Sequence, residues 1–123
     1  ARDVARVYQM LLNGGEIDGQ RYLSKETCQL FTTEISKISR CGLGFDKPDA
    51  DDPKKGNCAP AAPAEVYGHT GFTGTCAWVD PMNELVYVFL SNRIYPDVTN
   101  RKLNQLHIRE RIQGAIYDAM KKK

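Results

Sequence analysis

The chain has 123 residues, 17 Lys+Arg against 15 Asp+Glu, and 41% apolar residues. That length suits one domain or part of one rather than two independent cores, and it can bury roughly two thirds of its extended surface without help from a disulfide or metal. Charged residues at 26% argue against a disordered chain or a coiled coil, and a net charge of +2 gives no reason to expect nucleic acid or anionic lipid as a partner.

Ala1-Arg2-Asp3-Val4 reads as helix and not as the charged start of a signal peptide, so the chain is expected to begin inside structure. From Asp3 to Leu12, Val4, Val7, Tyr8, Leu11 and Leu12 fall on the stripe of an amphipathic helix. Asn13-Gly14-Gly15 ends it, because glycine accepts the conformation a C-terminal cap needs. A short turn follows at Asp18-Gly19. Ser24 then caps a second helix over Lys25 to Thr33, with Glu26 in its first turn.

Residues 46–64 hold four of the six prolines and four aspartates, which predicts a surface loop. The aspartates do not have EF-hand spacing, so a solvated acidic loop is favoured over a calcium site. Beyond it, Thr75 to Val79 and Leu85 to Leu90 are β-prone runs joined by a hairpin-length connection, Asp80 to Glu84. Val86 to Phe89 are apolar without alternation, the pattern of a strand covered on both faces. The longest nearly apolar run, Leu85 to Leu90, is far short of the roughly 18 residues of a membrane span. A last helix is predicted over about Leu103 to Met120, with Ile108, Ile112, Ala115, Ile116 and Ala119 as the stripe facing the sheet and Lys121 to Lys123 in solvent. The predicted fold class is α+β, with two N-terminal helices, antiparallel strands and a long C-terminal helix packed on them.

Cys28, Cys41, Cys58 and Cys76 include no C-x-x-C pair, so no zinc site, cofactor or stand-alone metal or redox domain is expected. Their even number allows three disulfide pairings; buried thiols acting as small hydrophobes are the favoured reading. His107 has no partner motif beside it and reads as a packing or surface residue. Trp78 and Phe72 read as sheet-packing aromatics, Phe72 also as a candidate substrate platform.

Tyr67-Gly68-His69-Thr70-Gly71-Phe72-Thr73-Gly74-Thr75 stands apart from the rest. Three glycines interrupt the start of a sheet, as happens where another backbone or a ligand must come close. A histidine among them can move protons near neutral pH. A structural strand entry with His69 as an ordinary satisfied residue is the competing reading. The segment lacks the G-K-[ST] ending of a phosphate loop.

His69 to Thr75, with Trp78-Val79-Asp80-Pro81 and Ser91-Asn92-Arg93, resembles the C-terminal part of serine β-lactamase-like hydrolases: class C β-lactamases, D-alanyl-D-alanine peptidases and related esterases. Ala5-Arg6, Met10 to Gly15 and Tyr22 to Thr27 look like the helix-turn-helix before that family's last strands, and Gly42-Leu43-Gly44-Phe45 is similar to its next strand. The resemblance covers nearly the whole chain apart from the proline-rich loop. The ending, Leu103 with Ile108-Arg109 and Ile116-Tyr117, looks like a module appended to a family 3 glycosidase of N-acetylglucosaminidase type.

The family's chemistry uses a serine and lysine in S-x-x-K, a Y-x-N or Y-x-S tyrosine, and a K-T-G or H-T-G strand. Only the third is identified here, as His69-Thr70-Gly71. Three positions after Ser24, Ser36, Ser39 and Ser91 stand Thr27, Ser39, Gly42 and Ile94, so no S-x-x-K exists in these residues. Tyr22-Leu23-Ser24 matches Y-x-S but falls at the entry to the second helix and is read as coincidence. The resemblance implies that the Phe72 N–H is one oxyanion donor, that His69 faces the substrate carboxylate or assists the tyrosine, and that Thr70 adds a hydroxyl. Histidine is largely neutral above about pH 6.5, unlike lysine, which favours ester-like or peptide-like substrates over β-lactams held by a fixed positive charge.

Two readings follow from the resemblance. In the first, residues 1–123 are the C-terminal portion of a serine hydrolase domain, inactive alone, whose partner is the upstream remainder and whose substrate is a small acyl, ester or peptide compound. In the second, the chain is a non-catalytic interaction module attached to a glycosidase. The family acts at the cell envelope, which implies a periplasmic or secreted protein. A cut sheet leaves an exposed edge, so a homodimer through strand pairing is expected.

Overall fold

α1 (Arg2–Leu12) forms where the apolar stripe put it and stops at Asn13. Gly14 N–H donates to Leu11 O at 3.0 Å and Gly15 N–H to Met10 O at 2.8 Å, the paired bonds of a Schellman cap. No α1 residue is fully buried, and Val7 is 56% exposed, so the stripe covers the sheet through Ala5, Tyr8, Leu11 and Leu12 instead. The computed structural model describes residues 1–33, 35, 41–49, 51, 52 and 56–122. Ser36, Ser39, Ala50, Pro53 and Lys123 lie outside the described residues.

The Asp18-Gly19 turn proves to join two short strands, β1 (Glu16–Ile17) and β2 (Gln20–Arg21). Asp18 and Gly19 have φ of 53° and 76°, both positive, as a two-residue hairpin turn whose twist matches its strands requires. Arg6 reaches back from α1 to pair with Asp18. α2 (Lys25–Thr32) starts at Ser24, whose Oγ accepts the Thr27 N–H at 3.0 Å. The strand expected at residues 42–45 is not formed: Gly42 N–H bonds Phe45 O at 2.9 Å in a local turn, and Asp46 alone bridges to Gly68.

β3 (Tyr67–Thr70), β4 (Cys76–Asp80) and β5 (Leu85–Phe89) make an antiparallel sheet in the order β3-β4-β5. The strand covered on both faces is β4, every residue of which is buried; in β5 only Tyr87 is. The reason is position, since β4 is the central strand and β5 lies at the edge. Cross-strand partners share a face. Cys76, Trp78 and Tyr87 therefore look to one side, where Cys58 and Val66 complete the core, with Ala62, Phe89 and Ile116 at its margin. Ala77 and Val79 look to the other side, toward α1.

The last helix is two helices. α3 (Lys102–Gln105) is separated from α4 (Ile108–Lys121) by His107, whose φ of 49° no helix continues through. The buried residues of α4 are Arg109, Gln113 and Tyr117, and not the predicted apolar stripe. Ile116 meets the core, but Ala115 and Ala119 are exposed and Ile112 is 38% exposed. The polar face wins because each of its members finds a partner. Arg109 Nη1 donates to Thr75 O at 3.3 Å and its own carbonyl accepts from Tyr87 Oη at 3.1 Å. Gln113 Oε1 accepts the Ala59 N–H at 2.8 Å, and Tyr117 Oη donates to Asp80 Oδ2 at 2.8 Å.

Two outcomes follow from this interior. Tyr117→Phe removes a buried bond to a carboxylate and is expected to cost about 1.5–3 kcal/mol in denaturant unfolding. Burial pushes the Cys76 thiol up to about 11 and raises the phenols of Tyr67, Tyr87 and Tyr117. Above about pH 9 the unfolded chain loses the thiol proton that the folded chain keeps, so the folded state binds more protons and stability falls as pH rises. Denaturation midpoints should hold to roughly pH 8.5 and decline between about pH 9 and 11, less steeply in Cys76→Ala.

Candidate functional site

The glycine-rich segment is β3 and the turn that follows it. Gly68 has its own reason to be glycine: a Cβ there would stand 2.1 Å from Ala77 O and 2.6 Å from Trp78 Cε3. It lets β3 lie directly on the indole, and it exchanges two backbone bonds with Asp46, at 2.8 and 3.1 Å. Gly71 N–H bonds Thr75 O at 2.8 Å and Gly74 N–H bonds Gly71 O at 2.9 Å. Phe72-Thr73-Gly74 is thus a three-residue hairpin loop with glycine at its positive-φ position, φ 98°.

His69 pairs with Ala77 and Thr70 with Cys76, so their side chains leave opposite faces of the sheet. His69 is exposed and Thr70 half-buried. The His69 Nδ1 lies 2.7 Å from Thr70 O. A carbonyl only accepts, so Nδ1 carries the hydrogen and the neutral ring keeps its lone pair on Nε2. The turn leaves the Phe72 N–H without an acceptor among the described residues. Phe72 does not pack on the sheet: its ring is 71% exposed. Trp78, at 1%, is the sheet-packing aromatic.

The site is an open wall rather than a closed cavity. A cavity of about 570 Å³ lies between α1, α2 and Lys47, and one of about 360 Å³ beside Cys58, His107 and Gly114; residues 69–75 line neither. His107 is exposed, with Nδ1 3.9 Å from Glu110 Oε1. Ser24 spends its hydroxyl on the α2 cap and on Thr27 Oγ1 at 2.9 Å. Cys28, Cys58 and Cys76 are buried thiols; Cys41 is half-buried, with Sγ 3.2 Å from Asp46 Oδ1. Among the described residues no group of three or more His, Cys, Asp or Glu is placed to hold a metal ion, and no helix is long and apolar enough to cross a membrane.

Two residues to which the sequence analysis gives no role of their own matter here. Asp80, 1% exposed, accepts from Met82 N, Asn83 N, Asn83 Nδ2 and Tyr117 Oη, which fixes the end of β4. Its place before Pro81 was the available signal, because aspartate opens turns by bonding the backbone two residues on. Arg93 holds its guanidinium carbon 4.7 Å from the centre of the Phe72 ring. Nothing in the sequence spacing announces that contact, which arises because the chain leaving β5 runs beside the turn leaving β3.

An α+β wall built on a His-Thr-Gly strand and its hairpin loop is the class of site this chain presents. The family model described as Beta-lactamase matches residues 1–110, and the chain belongs to that family. A protein of Escherichia coli O157:H7 named "Putative D-alanyl-D-alanine carboxypeptidase" is 33% identical over 102 residues, which are 83% of this chain and 23% of that protein. Proteins of the same name from Escherichia coli strain K12 and Salmonella agona strain SL483 are each 32% identical over the same share. The chain therefore spans about a quarter of the length of these relatives.

Replacing Gly68 by Ala forces a Cβ onto the backbone carbonyl of Ala77, which cannot give way without breaking the ladder. The expected loss is more than about 3 kcal/mol, read as loss of the cooperative unfolding transition.

Proposed function

We propose that residues 1–123 are the C-terminal portion of a serine hydrolase domain and supply one wall of its pocket. The observation that carries the reading is that the Phe72 N–H, on the hairpin loop directly after His69-Thr70-Gly71, has no acceptor among the described residues. In the complete domain a serine Oγ, contributed by residues outside these 123, attacks the carbonyl carbon of an acyl, ester or peptide substrate and gives its proton to the partner lysine. The carbonyl π pair moves to oxygen, and the resulting oxyanion takes the Phe72 N–H, with the serine's own N–H as second donor. Collapse expels the protonated leaving group, and water then cleaves the acyl-serine ester.

His69, through Nε2, is a hydrogen-bond and proton acceptor for the substrate or the assisting tyrosine rather than a fixed cation. Thr70, with its side chain on the other face, contributes its carbonyl to holding that tautomer. The protein acts in the periplasm or after secretion, on small envelope-type substrates. The family membership and the relatives' printed names support this reading.

A second reading keeps the fold without the chemistry: a non-catalytic module attached to a family 3 glycosidase of N-acetylglucosaminidase type. The outward apolar residues of α4, Ile112 and Met120 among them, favour it as surface for a partner domain. The reading frame before Ala1 separates the two, since S-x-x-K followed by Y-x-[SN] belongs to the first alone.

The isolated 123 residues should not be labelled by a fluorescent penicillin or a fluorophosphonate, whereas the longer protein should be labelled once per chain. Stoichiometric labelling of the isolated chain contradicts the proposal. The outer edge of β5 is the surface for strand pairing between copies, and sedimentation of the isolated chain should show dimers; a monomer at high concentration counts against the cut-sheet reading.

A further inference from the structure

The hairpin loop after His69-Thr70-Gly71 is not held by its own bonds alone. Its outer side rests on the segment that leaves β5. Arg93 N–H donates to Thr73 O at 2.8 Å. At Gly74 an added Cβ would stand 2.6 Å from Ser91 Oγ, 3.3 Å from Leu103 Cδ1 and 3.4 Å from Arg93 Cβ, so loop and segment are in full contact. The Arg93 guanidinium then closes over the Phe72 ring, 4.7 Å from its centre. No carboxylate pairs with Arg93 among the described residues, so the aromatic face is the partner this cation has.

We infer that Arg93 is a positioning residue for the reaction, clamping Phe72 so that its N–H is aimed before the oxyanion forms. The inference rests on the hydrolase reading above. Its physical basis is that the ring and the N–H of Phe72 share one Cα. Rotation about φ of Phe72 moves ring and amide hydrogen relative to one another, and at 71% exposure the residue has little else to stop it. The Arg93 guanidinium over the ring and the Arg93 N–H on Thr73 O tie the ring and the next residue of the loop to one segment. A donor fixed in advance stabilises the developing charge without reorganising, which is where oxyanion donors gain their effect. A cation on an exposed aromatic face shifts a local equilibrium about two- to fivefold, enough to bias a loop but too little to decide folding. Arg93 is therefore expected to move catalysis more than stability.

The test uses the full-length protein, with Arg93→Ala, Arg93→Lys, Phe72→Leu and the double variant Arg93→Ala/Phe72→Leu. Two readouts are taken: kcat and KM for a p-nitrophenyl ester of a short acid, and the order parameter of the Phe72 amide by selective ¹⁵N labelling. Arg93→Ala should lower kcat about two- to fivefold while KM stays unchanged, because a displaced donor weakens the transition state alone. Arg93→Lys should recover part of the loss, and the double variant should be no slower than the slower single one. The Phe72 amide should fall from about 0.85 toward about 0.6 in Arg93→Ala. An unchanged order parameter overturns the clamp whatever the activity. An unchanged kcat, fully multiplicative losses in the double variant, or losses that track the folded fraction overturn the catalytic role. If the wild-type protein does not turn the ester over, the hydrolase reading fails, and with it the catalytic role, separately from the clamp.

Discussion

The carboxylate of Asp80 is the point on which the fold turns. It sits at 1% exposure at the end of the central strand, and burying such a group is costly unless every lone pair is met. Four donors meet it: two backbone N–H groups and a side-chain amide of the β4–β5 connection, and the phenol of Tyr117 from α4. One residue thereby sets where β4 stops, how the chain turns into β5 and at what height α4 crosses the sheet. With Tyr117 fixed, Gln113 and Arg109 follow at four-residue steps and reach Ala59 N and Thr75 O. The last of these contacts lies at the foot of the glycine-rich loop, so the constraint that begins in the core ends beside the candidate site.

The site inherits its shape from the sheet. Gly68 brings β3 down onto Trp78, Gly74 turns the chain back, and the loop between them exposes Phe72. His69 is placed by register on the α1 face, and its ring is oriented by the next residue's carbonyl. In the proposed reading the Phe72 N–H is the donor, and a second wall from residues outside these 123 closes over it. That is the physical content of reading the chain as part of a serine hydrolase pocket.

Much of this was legible in the residues and some was not. The Asn13-Gly14-Gly15 stop, the Ser24 cap and the β4–β5 hairpin are local signals, and each held because no tertiary contact opposed it. The β1–β2 hairpin was visible only as its Asp18-Gly19 turn, since strands of two residues carry no period. The stripe on α4 misled because hydropathy ranks Ile112 above Gln113, whereas the helix buries whichever side finds partners, and here these were a carboxylate, an amide and a carbonyl. Residues 42–45 resemble a strand by their family likeness, but among the described residues they pair with no strand and bond locally, Gly42 N–H to Phe45 O. The His-Thr-Gly motif was legible as a motif; the opposite faces of His69 and Thr70, and the Arg93 clamp, depend on register and on chain crossing, which no spacing encodes.

The most direct test of the account is a crystal structure of the full-length protein carrying a boronic acid or phosphonate on its nucleophile. One boron- or phosphorus-bound oxygen is expected at about 2.7–3.1 Å from the Phe72 nitrogen, the distance of an oxyanion donor. An adduct whose oxygens all turn away from Phe72, with that N–H facing solvent, would contradict it.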